Sequence, residues 1–403
     1  MTLVLDESQR AALRLVVASR LGIVTGGPGT GKTTSLRAAL DELDGLPEPD
    51  EGTRYELAAP TGKAARRMME ATGRPARTIH RLLEWGREGA EGFARDAKNP
   101  LETGAVIVDE ASMLDVELAA ALVDAIDQTR TRLVLVGDVH QLPPVGPGCP
   151  FRDLIASKRI PVARLTTLHR AAAESWVCTQ APAVLAGRVP ALAPRPDFAF
   201  ARAPSAGHVP AAVLEHVRRI ARSDEPLEVQ VLSPQHNGAA GTTELNRALQ
   251  AELNPEARAG AMHWGREEHL YLGDRVIQTR NDYDLDVMNG EIGAVVGLSN
   301  AELSVQFDDE RVVQFSREKA KGLHLAYALT THKSQGSEWP WVVVVVHSTH
   351  TQMLTRSLLY TAITRARRGV VIVGDEFGLE RAVKNAHSDA RNSSLVTRLG
   401  APA

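Results

Sequence analysis

The chain has 403 residues, of which 43% are hydrophobic and 24% are charged, and its formal net charge is −3. This length exceeds what one hydrophobic core usually organises, so we expect two or three domains of an ordinary soluble protein. The charge balance excludes nucleic-acid binding through a generally basic surface and leaves only a local basic patch for that purpose.

Cysteine content and apolar runs exclude two further classes of protein. Two cysteines, Cys149 and Cys178, make neither a disulfide framework nor a zinc site, which fits a reducing cytosol and predicts a cytoplasmic protein. The start of the chain lacks the basic residues and apolar run of a signal peptide. The most apolar stretch, WVVVVVHS at 341–348, is far shorter than the roughly 20 residues of a membrane span and predicts a buried strand.

Short apolar runs followed by helix-like sequence recur at both ends of the chain. Near the start these runs are LGIVTGG, RYELAAP, AVIVDE and RLVLVGD, and near the end they are LEVQVLSP, LHLAYALT, WVVVVVHS and GVVIVGD. Strands that alternate with helices predict parallel α/β sheets. Two such sets predict two sheets.

A different pattern interrupts the second set at residues 262–322. The runs DRVIQTRND, GEIGAVVGL, LSVQFDD and RVVQFS follow one another through tight turns such as Asn289-Gly290, with no helix between them. This pattern predicts a small antiparallel β-barrel inserted into the second α/β domain. The predicted boundaries are 1–165 for the first domain, 166–261 with 323–403 for the second, and 262–322 for the insertion.

The most specific motif is VTGGPGTGKTT, which matches G-x-x-x-x-G-K-[ST] between a predicted strand and a predicted helix. Its glycines let backbone N–H groups turn toward phosphate oxygens at the positive end of the helix. We predict that Lys32 reaches the β- and γ-phosphates of ATP and that the Thr33 hydroxyl ligates Mg²⁺. The predicted nucleotide-binding residues are Gly27, Pro28, Gly29, Thr30, Gly31, Lys32, Thr33 and Thr34.

Two later strand ends supply polar groups for the same chemistry. In AVIVDEASM, we predict that Asp109 holds the Mg²⁺ shell and that Glu110 orients or deprotonates the attacking water. In LVGDVHQLPPV, Gln141 is a candidate for contact with the γ-phosphate or the water. The alternatives are a solvated strand end for the acidic pair and an ordinary turn before the prolines for Gln141.

Arginines near the end of the chain suggest a group that stabilises transition-state charge. If the second α/β unit packs across the nucleotide, we expect Arg365 in YTAITRARRG to lie on the helix that faces the phosphates and to act as an arginine finger supplied by the same chain. Arg170 in TTLHRAAA is a second candidate. The alternative is that both arginines favour a helix end or solvent, and we expect Arg367 and Arg368 to be surface charges.

One segment is locally basic. Residues 54–81 contain seven Lys or Arg against two Glu. Thr61 and Lys63 begin a predicted helix directly after a strand, which suits a sequence-independent grip on phosphates, although an exposed basic helix face is the alternative. Aromatic residues make up only 4% of the chain, so base stacking is limited to a few candidates, namely His80, Tyr283, Trp339 and Trp341. For each of them the alternative is ordinary packing in the core or at its rim.

Nine short segments in order resemble superfamily 1 DNA helicases, most closely the RecD-like branch. They are SQRAAL, GGPGTGKTT, APTGKAARR, TIHRLL, VDEASM, VGDVHQLPPV, LHR, YALTTHKSQGSEW and YTAITRAR. The resemblance covers nearly the whole chain. It implies an α/β fold of two RecA-like domains with an SH3-like barrel insertion, sharing one ATP with Mg²⁺ while single-stranded DNA crosses both domains.

The resemblance also assigns residues and a direction. It implies that Gln9 reads adenine and that Gln335, Gly336 and Glu338 lie beside the ribose and γ-phosphate. It implies movement in the 5′→3′ direction and a short wedge-like insertion near 84–104. The DNA-contacting residues that it implies are Pro60, Thr61, Lys63, Thr78, His80, Thr330, Thr331 and His332.

The predicted function is therefore an ATP-dependent DNA helicase or translocase acting on single-stranded DNA and single-strand/double-strand junctions in DNA repair or recombination. RecD-like relatives carry a long region before the glutamine motif, whereas here that motif lies close to Met1, so we expect the accessory contacts of that region to be missing. One alternative is a motor subunit of a larger helicase-nuclease assembly that does not unwind alone. Another is a P-loop ATPase switch that is not a motor.

Overall fold

In the computed structural model the chain forms two compact units, Met1–Glu174 with His387–Ala403 and Ser175–Ala386. The structure describes residues 5–45, 53–86, 92–168, 174–222, 228–259, 263–264, 269–282, 284–308, 310–386, 391 and 393–400. Among these residues, every helix is too short or too polar to cross a membrane.

Unit 1 is built on a six-stranded parallel sheet with helices packed against it. The strands run in the order β3-β2-β4-β5-β1-β6, which places the first strand between β5 and the edge strand β6. They are β1 Leu21–Gly26, β2 Glu56–Ala59, β3 Arg77–Thr78, β4 Ala105–Val108, β5 Arg132–Gly137 and β6 Val162–Leu165. The helices are α1 Glu7–Ala18, α2 Lys32–Asp44, α3 Gly62–Thr72, α4 Ile79–Leu82, α5 Val116–Asp124 and α6 Pro150–Ser157.

The core of unit 1 explains why these strands form. β1 is buried along four consecutive residues and pairs Val24 with Val136 of β5 and Ile23 with Val162 of β6. Two apolar clusters cover the sheet, one around Val106 and Val108 and the other around Val24 and Val134. Continuous apolar strands of this kind are typical of parallel sheets that are covered on both faces.

The parallel sheet of unit 2 has five strands in the order β16-β8-β17-β18-β7. Its strands are β7 Phe198–Arg202, β8 Val229–Ser233, β16 Ala328–Thr330, β17 Trp339–Val346 and β18 Ala366–Gly374. Its helices are α7 Trp176–Leu185, α8 Val209–Ala221, α9 Thr242–Leu253, α10 Pro255–Ala259, α11 Arg356–Ile363 and α12 Glu376–Lys384. The valine run of β17 lies at the centre of this sheet, as its apolar sequence predicts.

An antiparallel sheet of order β14-β13-β12-β11-β15, with a two-stranded β9-β10 pair, forms the insertion in unit 2. The strands are β9 His263–Trp264, β10 Leu270–Tyr271, β11 Arg275–Gln278, β12 Ile292–Leu298, β13 Glu302–Phe307, β14 Val312–Ser316 and β15 Leu323–Leu325. An apolar cluster that includes Val305 and Phe315 fills it. This confirms the predicted fold class, two parallel-sheet units with a small antiparallel insertion.

Two features of the path of the chain were not predicted from the sequence. The run LHLAYALT forms two strands, because β15 joins the antiparallel sheet and β16 joins the parallel one. The Asn246 side chain stabilises the switch by donating to the carbonyls of Leu325 and Ala328 and accepting from the Ala328 N–H. The chain also returns to unit 1 after α12, where a C-terminal helix at Leu395–Arg398 packs on α6.

Candidate nucleotide and nucleic-acid sites

The phosphate loop lies between β1 and α2 of unit 1, as predicted. Gly29 and Gly31 have φ angles of 70° and 81°, in the left-handed region that favours glycine. A Cβ on Gly26 would lie 2.6 Å from the Thr30 hydroxyl and 2.9 Å from the Leu165 Cβ, so this position also requires glycine. Among the residues that the structure describes, no side chain caps α2 at Gly31, which leaves the positive end of the helix available to an anion.

The Lys32 ammonium lies against the loop itself. Its Nζ donates to the carbonyls of Gly26 at 2.6 Å and Gly27 at 3.1 Å, and the Thr30 hydroxyl donates to Gly27 at 2.9 Å. The positive charge is therefore held within the turn that the motif forms. This arrangement suits binding of a polyphosphate, because the ammonium and the N-terminus of α2 attract the same anion.

The acidic pair follows β4, next to β5 in the same sheet. Asp109 is half-buried and accepts from the Glu110 N–H at 2.8 Å, while Glu110 adopts a φ of 52°. Burial, together with the neighbouring Glu110 carboxylate, raises the pKa of Asp109 to about 6, against the opposing effects of Arg67 and Lys32. Arg67 approaches Glu110 at 3.8 Å. A group held this far from its ordinary pKa is typical of a functional site.

The residues fit Mg²⁺ rather than a metal held entirely by protein. Among the described residues, no group of three or more His, Cys, Asp or Glu is arranged to hold a metal. Mg²⁺ commonly binds one or two protein oxygens together with phosphates and water. A cation beside Asp109 would also relieve the repulsion between the two adjacent carboxylates.

The loop after β5 places Gln141 in unit 1, the unit that carries the phosphate loop. The Val139 N–H donates to the Thr25 hydroxyl on β1 at 3.4 Å, and Asp138 accepts from the His140 N–H at 3.0 Å. Gln141 is only 9% exposed, and its side-chain oxygen has no hydrogen-bond partner in the described part of the chain. An unpaired buried acceptor of this kind is costly unless a ligand or water completes it.

Gln9 is 1% exposed and belongs to the first turn of α1. Its side-chain oxygen accepts from the Asp6 N–H at 3.1 Å, and Asp6 accepts from the Gln9 N–H at 3.0 Å. These two bonds form a capping box. The adenine-reading role of Gln9 stays a prediction.

The predicted DNA-contacting residues of unit 1 lie at helix N-termini. The Thr61 hydroxyl accepts from the Ala64 N–H, and the Thr78 hydroxyl accepts from the Arg81 N–H, both at 3.2 Å. Both hydroxyls therefore cap helices. Pro60 directly precedes the Thr61 cap, and Lys63 lies in the first turn of the same helix.

An aromatic cluster adjoins His80 and includes residues that the sequence did not single out. Trp85 and Phe93 are joined by an antiparallel bridge, and their ring centroids are 4.6 Å apart. The His80 ring lies 6.0 Å from Trp85 and 5.7 Å from Phe93, and burial lowers the pKa of His80. Trp85 is 44% exposed, so one face of the cluster is open to solvent. Whether this region acts as a wedge stays a prediction.

Two other aromatic stacking candidates pack inside unit 2. Trp339 is the first residue of β17 and belongs to the buried core. Half-buried Trp341, on the same strand, lies so close to Gly369 that a Cβ there would meet its ring at 2.5 Å. The alternative of ordinary packing therefore describes both residues. Tyr283 lies outside the described residues.

Arg365 follows α11 and is 1% exposed within unit 2. Its guanidinium donates from Nε to the Thr361 carbonyl and from Nη1 to the Ser337 carbonyl, both at 3.2 Å. Arg365 lies just beyond the end of the helix, whereas the sequence suggested a position on it. Arg170 lies outside the described residues, and the role of each arginine stays a prediction.

The second group of predicted DNA contacts follows β16. Thr330 ends the strand, Thr331 is buried, and His332 begins a single turn of 3₁₀-helix at His332–Ser334. Beyond it, Gly336 has a φ of 73°, and Glu338 lies 3.8 Å from the exposed Arg367.

A polar cavity of about 320 Å³ in unit 2 connects Thr330 to the start of α9 and to the antiparallel insertion. Its lining, as far as the structure describes it, contains three basic side chains, His236, His324 and Lys333, and no carboxylate. Burial lowers the pKa of His236, and the positive charges of Lys333 and His324 lower it further. The cavity therefore suits an anion, and its polar lining includes His236, Thr242, Thr279, His324, Thr330 and Lys333.

The sequence contained only a weak signal for this cavity. His236 and Thr242 belong to SPQHNGAAGTT, which follows a strand as a phosphate-binding loop does, but His324 reaches the site from a strand of the insertion. Only the folded arrangement brings these segments together.

Comparisons with known proteins agree with this architecture. An AAA domain family matches residues 9–147, a UvrD-like helicase C-terminal domain matches 325–373, and an ATP-dependent RecD-like DNA helicase SH3 domain matches 245–307. The Bacteroides Pif1 helicase in complex with ADP-AlF3 and single-stranded DNA has the same fold. Its TM-score is 0.59 at 19% identity, over 98% of this chain and 96% of that one. Pif1 helicase from Candida albicans gives 0.55 at 20% identity, over 98% of each chain.

Two curated relatives extend the comparison. The ATP-dependent RecD2 DNA helicase of Deinococcus radiodurans is 38% identical over 397 residues, which cover 98% of this chain and 53% of that protein. The RecD subunit of the RecBCD enzyme of Mycolicibacterium smegmatis is 34% identical over 94% of this chain and 72% of that protein. The chain thus spans about half the length of the first relative and about three quarters of the second.

The fold and the phosphate loop define a P-loop protein with two RecA-like units. The matched families and relatives place it more narrowly: the chain belongs to the RecD-like branch of the superfamily 1 DNA helicases.

Proposed function

We propose that the chain is an ATP-dependent motor that moves on single-stranded DNA in the 5′→3′ direction and separates duplexes at single-strand/double-strand junctions. The observation that carries this proposal is the phosphate loop with Lys32 held in its turn, in the same unit as Asp109 and Glu110. A second RecA-like unit and membership of a helicase family support coupling of this site to movement.

In the proposed site, the Lys32 ammonium and the N-terminus of α2 bind the β- and γ-phosphates. Thr33 and Asp109 hold Mg²⁺, which supplies neutralisation of phosphate charge. Glu110 orients the attacking water and accepts its proton, and Gln141 contacts the γ-phosphate or the water. Arg365 stabilises the charge that develops on the transferred group.

We propose that the strand is gripped through its backbone at two places. In unit 1 the contacts are made near Thr61, Lys63 and His80. In unit 2 they are made near Thr330 and in the polar cavity lined by three basic side chains. We propose that this cavity binds a phosphodiester group of the DNA backbone. Because these groups recognise charge rather than base edges, binding should depend little on sequence and strongly on salt.

The experiment that tests the function uses the purified chain and duplexes with either a 5′ or a 3′ single-stranded tail. We expect ATP-dependent strand separation on the 5′-tailed duplex only. Hydrolysis that DNA does not stimulate, without movement or strand separation, would overturn the proposal.

A second candidate function is a motor subunit that unwinds only within a larger assembly. It is favoured by the 34% identity to a protein named as a subunit of the RecBCD enzyme. For this candidate we expect DNA-stimulated hydrolysis and translocation without strand separation by the chain alone.

A further inference from the structure

The loop between β5 and α6 has an unusual composition. Residues 138–149 read DVHQLPPVGPGC, with Pro143, Pro144 and Pro147 in the half that precedes α6. Proline has no N–H, so this half of the loop has few donors with which to satisfy its own carbonyls. Groups outside the loop must supply the hydrogen bonds that hold its shape.

One residue, distant in sequence, supplies three of them. The guanidinium of Arg391 donates from Nη1 to the carbonyls of Gly146 and Gly148, the latter at 3.1 Å, and from Nη2 to the carbonyl of Pro144. Arginine can do this because its planar fork carries five donors, whereas lysine presents only a compact ammonium. Arg391 thus bonds three carbonyls of one loop.

Further contacts hold both ends of the loop in place. The Val116 N–H donates to the Pro147 carbonyl at 2.9 Å. Gly146 approaches α5 so closely that a Cβ would lie 2.1 Å from the Asp115 carboxylate. At the other end, the bond from Val139 to Thr25 ties the start of the loop to β1.

The same loop carries Asp138 and Gln141. We infer that Arg391 is a positioning residue, which acts through the backbone of residues 144–148 to hold Gln141 at the site of ATP hydrolysis. This inference rests on the proposed function. Within the described part of the chain, the hydrogen bonds of Arg391 go to this loop and not to the phosphate loop or the acidic pair, so its effect passes through the loop.

The C-terminal segment of the chain provides the support for this arginine. Beyond Arg391, the helix at Leu395–Arg398 packs on α6, and Arg159 donates to the Gly400 carbonyl at 2.7 Å. Arg391 is thereby held on unit 1 by contacts that do not involve the loop. Residues at the far end of the sequence contribute to the architecture of the nucleotide site.

The test compares Arg391→Ala and Arg391→Lys with Arg398→Ala, which removes an exposed arginine from the same segment. Amide hydrogen exchange at residues 138–142 reports loop order without requiring activity. We expect about tenfold faster exchange there in Arg391→Ala, since hydrogen bonds from a charged donor are lost. Arg391→Lys should lie between that variant and the unchanged chain, and Arg398→Ala should exchange normally.

Steady-state ATP hydrolysis provides the second readout. We expect kcat to fall about tenfold in Arg391→Ala while the KM for ATP changes less than about twofold, because positioning is lost and the phosphate loop is intact. Unchanged exchange, unchanged kcat, or equal effects of Arg398→Ala would overturn the inference. If Arg391→Ala does not fold, the inference is judged by the exchange at residues 138–142 and the kcat of Arg391→Lys.

The two proposals fail in different ways. Absence of ATP hydrolysis in the unchanged chain would sink the proposed function, whereas normal exchange of residues 138–142 in the Arg391 variants would sink only the loop-positioning inference.

Discussion

At the scale of single residues, the nucleotide site combines groups whose ordinary behaviour is altered by their surroundings. The Lys32 ammonium is bonded to two carbonyls of the loop that precedes it. Asp109 lies half-buried beside another carboxylate. The arrangement of Asp109 costs free energy in the protein alone and becomes favourable when a positive charge arrives beside it.

Replacement of Lys32 by Ala removes the charge that we propose binds the β- and γ-phosphates. We expect ATP turnover to fall on the order of a hundredfold or more, since charge stabilisation is the main source of catalysis in phosphoryl transfer. Steady-state hydrolysis with saturating DNA measures this effect, and an unchanged melting temperature serves as the control. Near-normal turnover would refute the assignment of the phosphate loop.

Replacement of Asp109 by Asn should stabilise unit 1 at neutral pH. The folded pKa of Asp109, about 6, lies above its ordinary 3.8, so its carboxylate is destabilising above about pH 6 and that penalty disappears as pH falls toward 3.8. At pH 7.5, without nucleotide and magnesium, we expect the free energy of unfolding of the variant to exceed that of the unchanged chain by roughly 1–3 kcal/mol. This difference in the free energy of unfolding should disappear as the pH falls from 6 to 4. Denaturant unfolding across that range measures it, and a gap that widens on acidification would contradict the expectation.

Arg365 differs from these residues because it is fully buried within unit 2 and we also propose that it acts on the nucleotide. Its replacement should therefore affect both stability and catalysis. For Arg365→Ala we expect ATP affinity to stay within about threefold while turnover falls roughly a thousandfold, the magnitude typical of an arginine finger. Some loss of stability is also expected, because two carbonyls lose their donor.

Two further variants separate the catalytic and structural effects of Arg365. Arg365→Lys keeps the charge, and Arg367→Ala removes an exposed neighbour. Parallel loss of nucleotide affinity and turnover in Arg365→Ala would argue against the finger role.

At the scale of elements, the sequence predicted what depends on local pattern. The valine run of β17 and the glycine-rich turn before α2 lie where periodicity and motif placed them. The division of LHLAYALT into β15 and β16 could not be read from its alternating apolar residues. That division depends on Asn246, which binds the backbone at the switch from a position about eighty residues earlier in the chain.

The cavity beside β16 is also an arrangement of elements, and it leads to a prediction about binding. Lys333→Ala and His324→Ala should each weaken single-stranded DNA binding several-fold. Lys333→Ala should also lower by about one the number of ions released on binding, which is read from the salt dependence of the affinity. Fluorescence anisotropy over a range of salt concentrations measures both quantities. Lys384→Ala, which removes an exposed lysine at the end of α12 in the same unit, is the matched control. An unchanged salt slope in Lys333→Ala would argue that the cavity does not take a phosphodiester.

At the scale of the whole molecule, the two-unit architecture was predictable because both sets of alternating strands and helices are visible in the sequence. The return of the chain to unit 1 was not. Contacts such as that of Arg391 with Gly146 join residues separated by 245 positions, and no local pattern indicates which distant carbonyls an arginine will bind.

That return has a consequence for biosynthesis. A ribosome releases the phosphate loop before it makes unit 2, whereas the guanidinium of Arg391 emerges only after unit 2 has been made. The loop at residues 144–148 therefore gains these three hydrogen bonds only once synthesis has passed residue 391. A nascent chain that has not reached Arg391 has the nucleotide motif but lacks this support of the neighbouring loop.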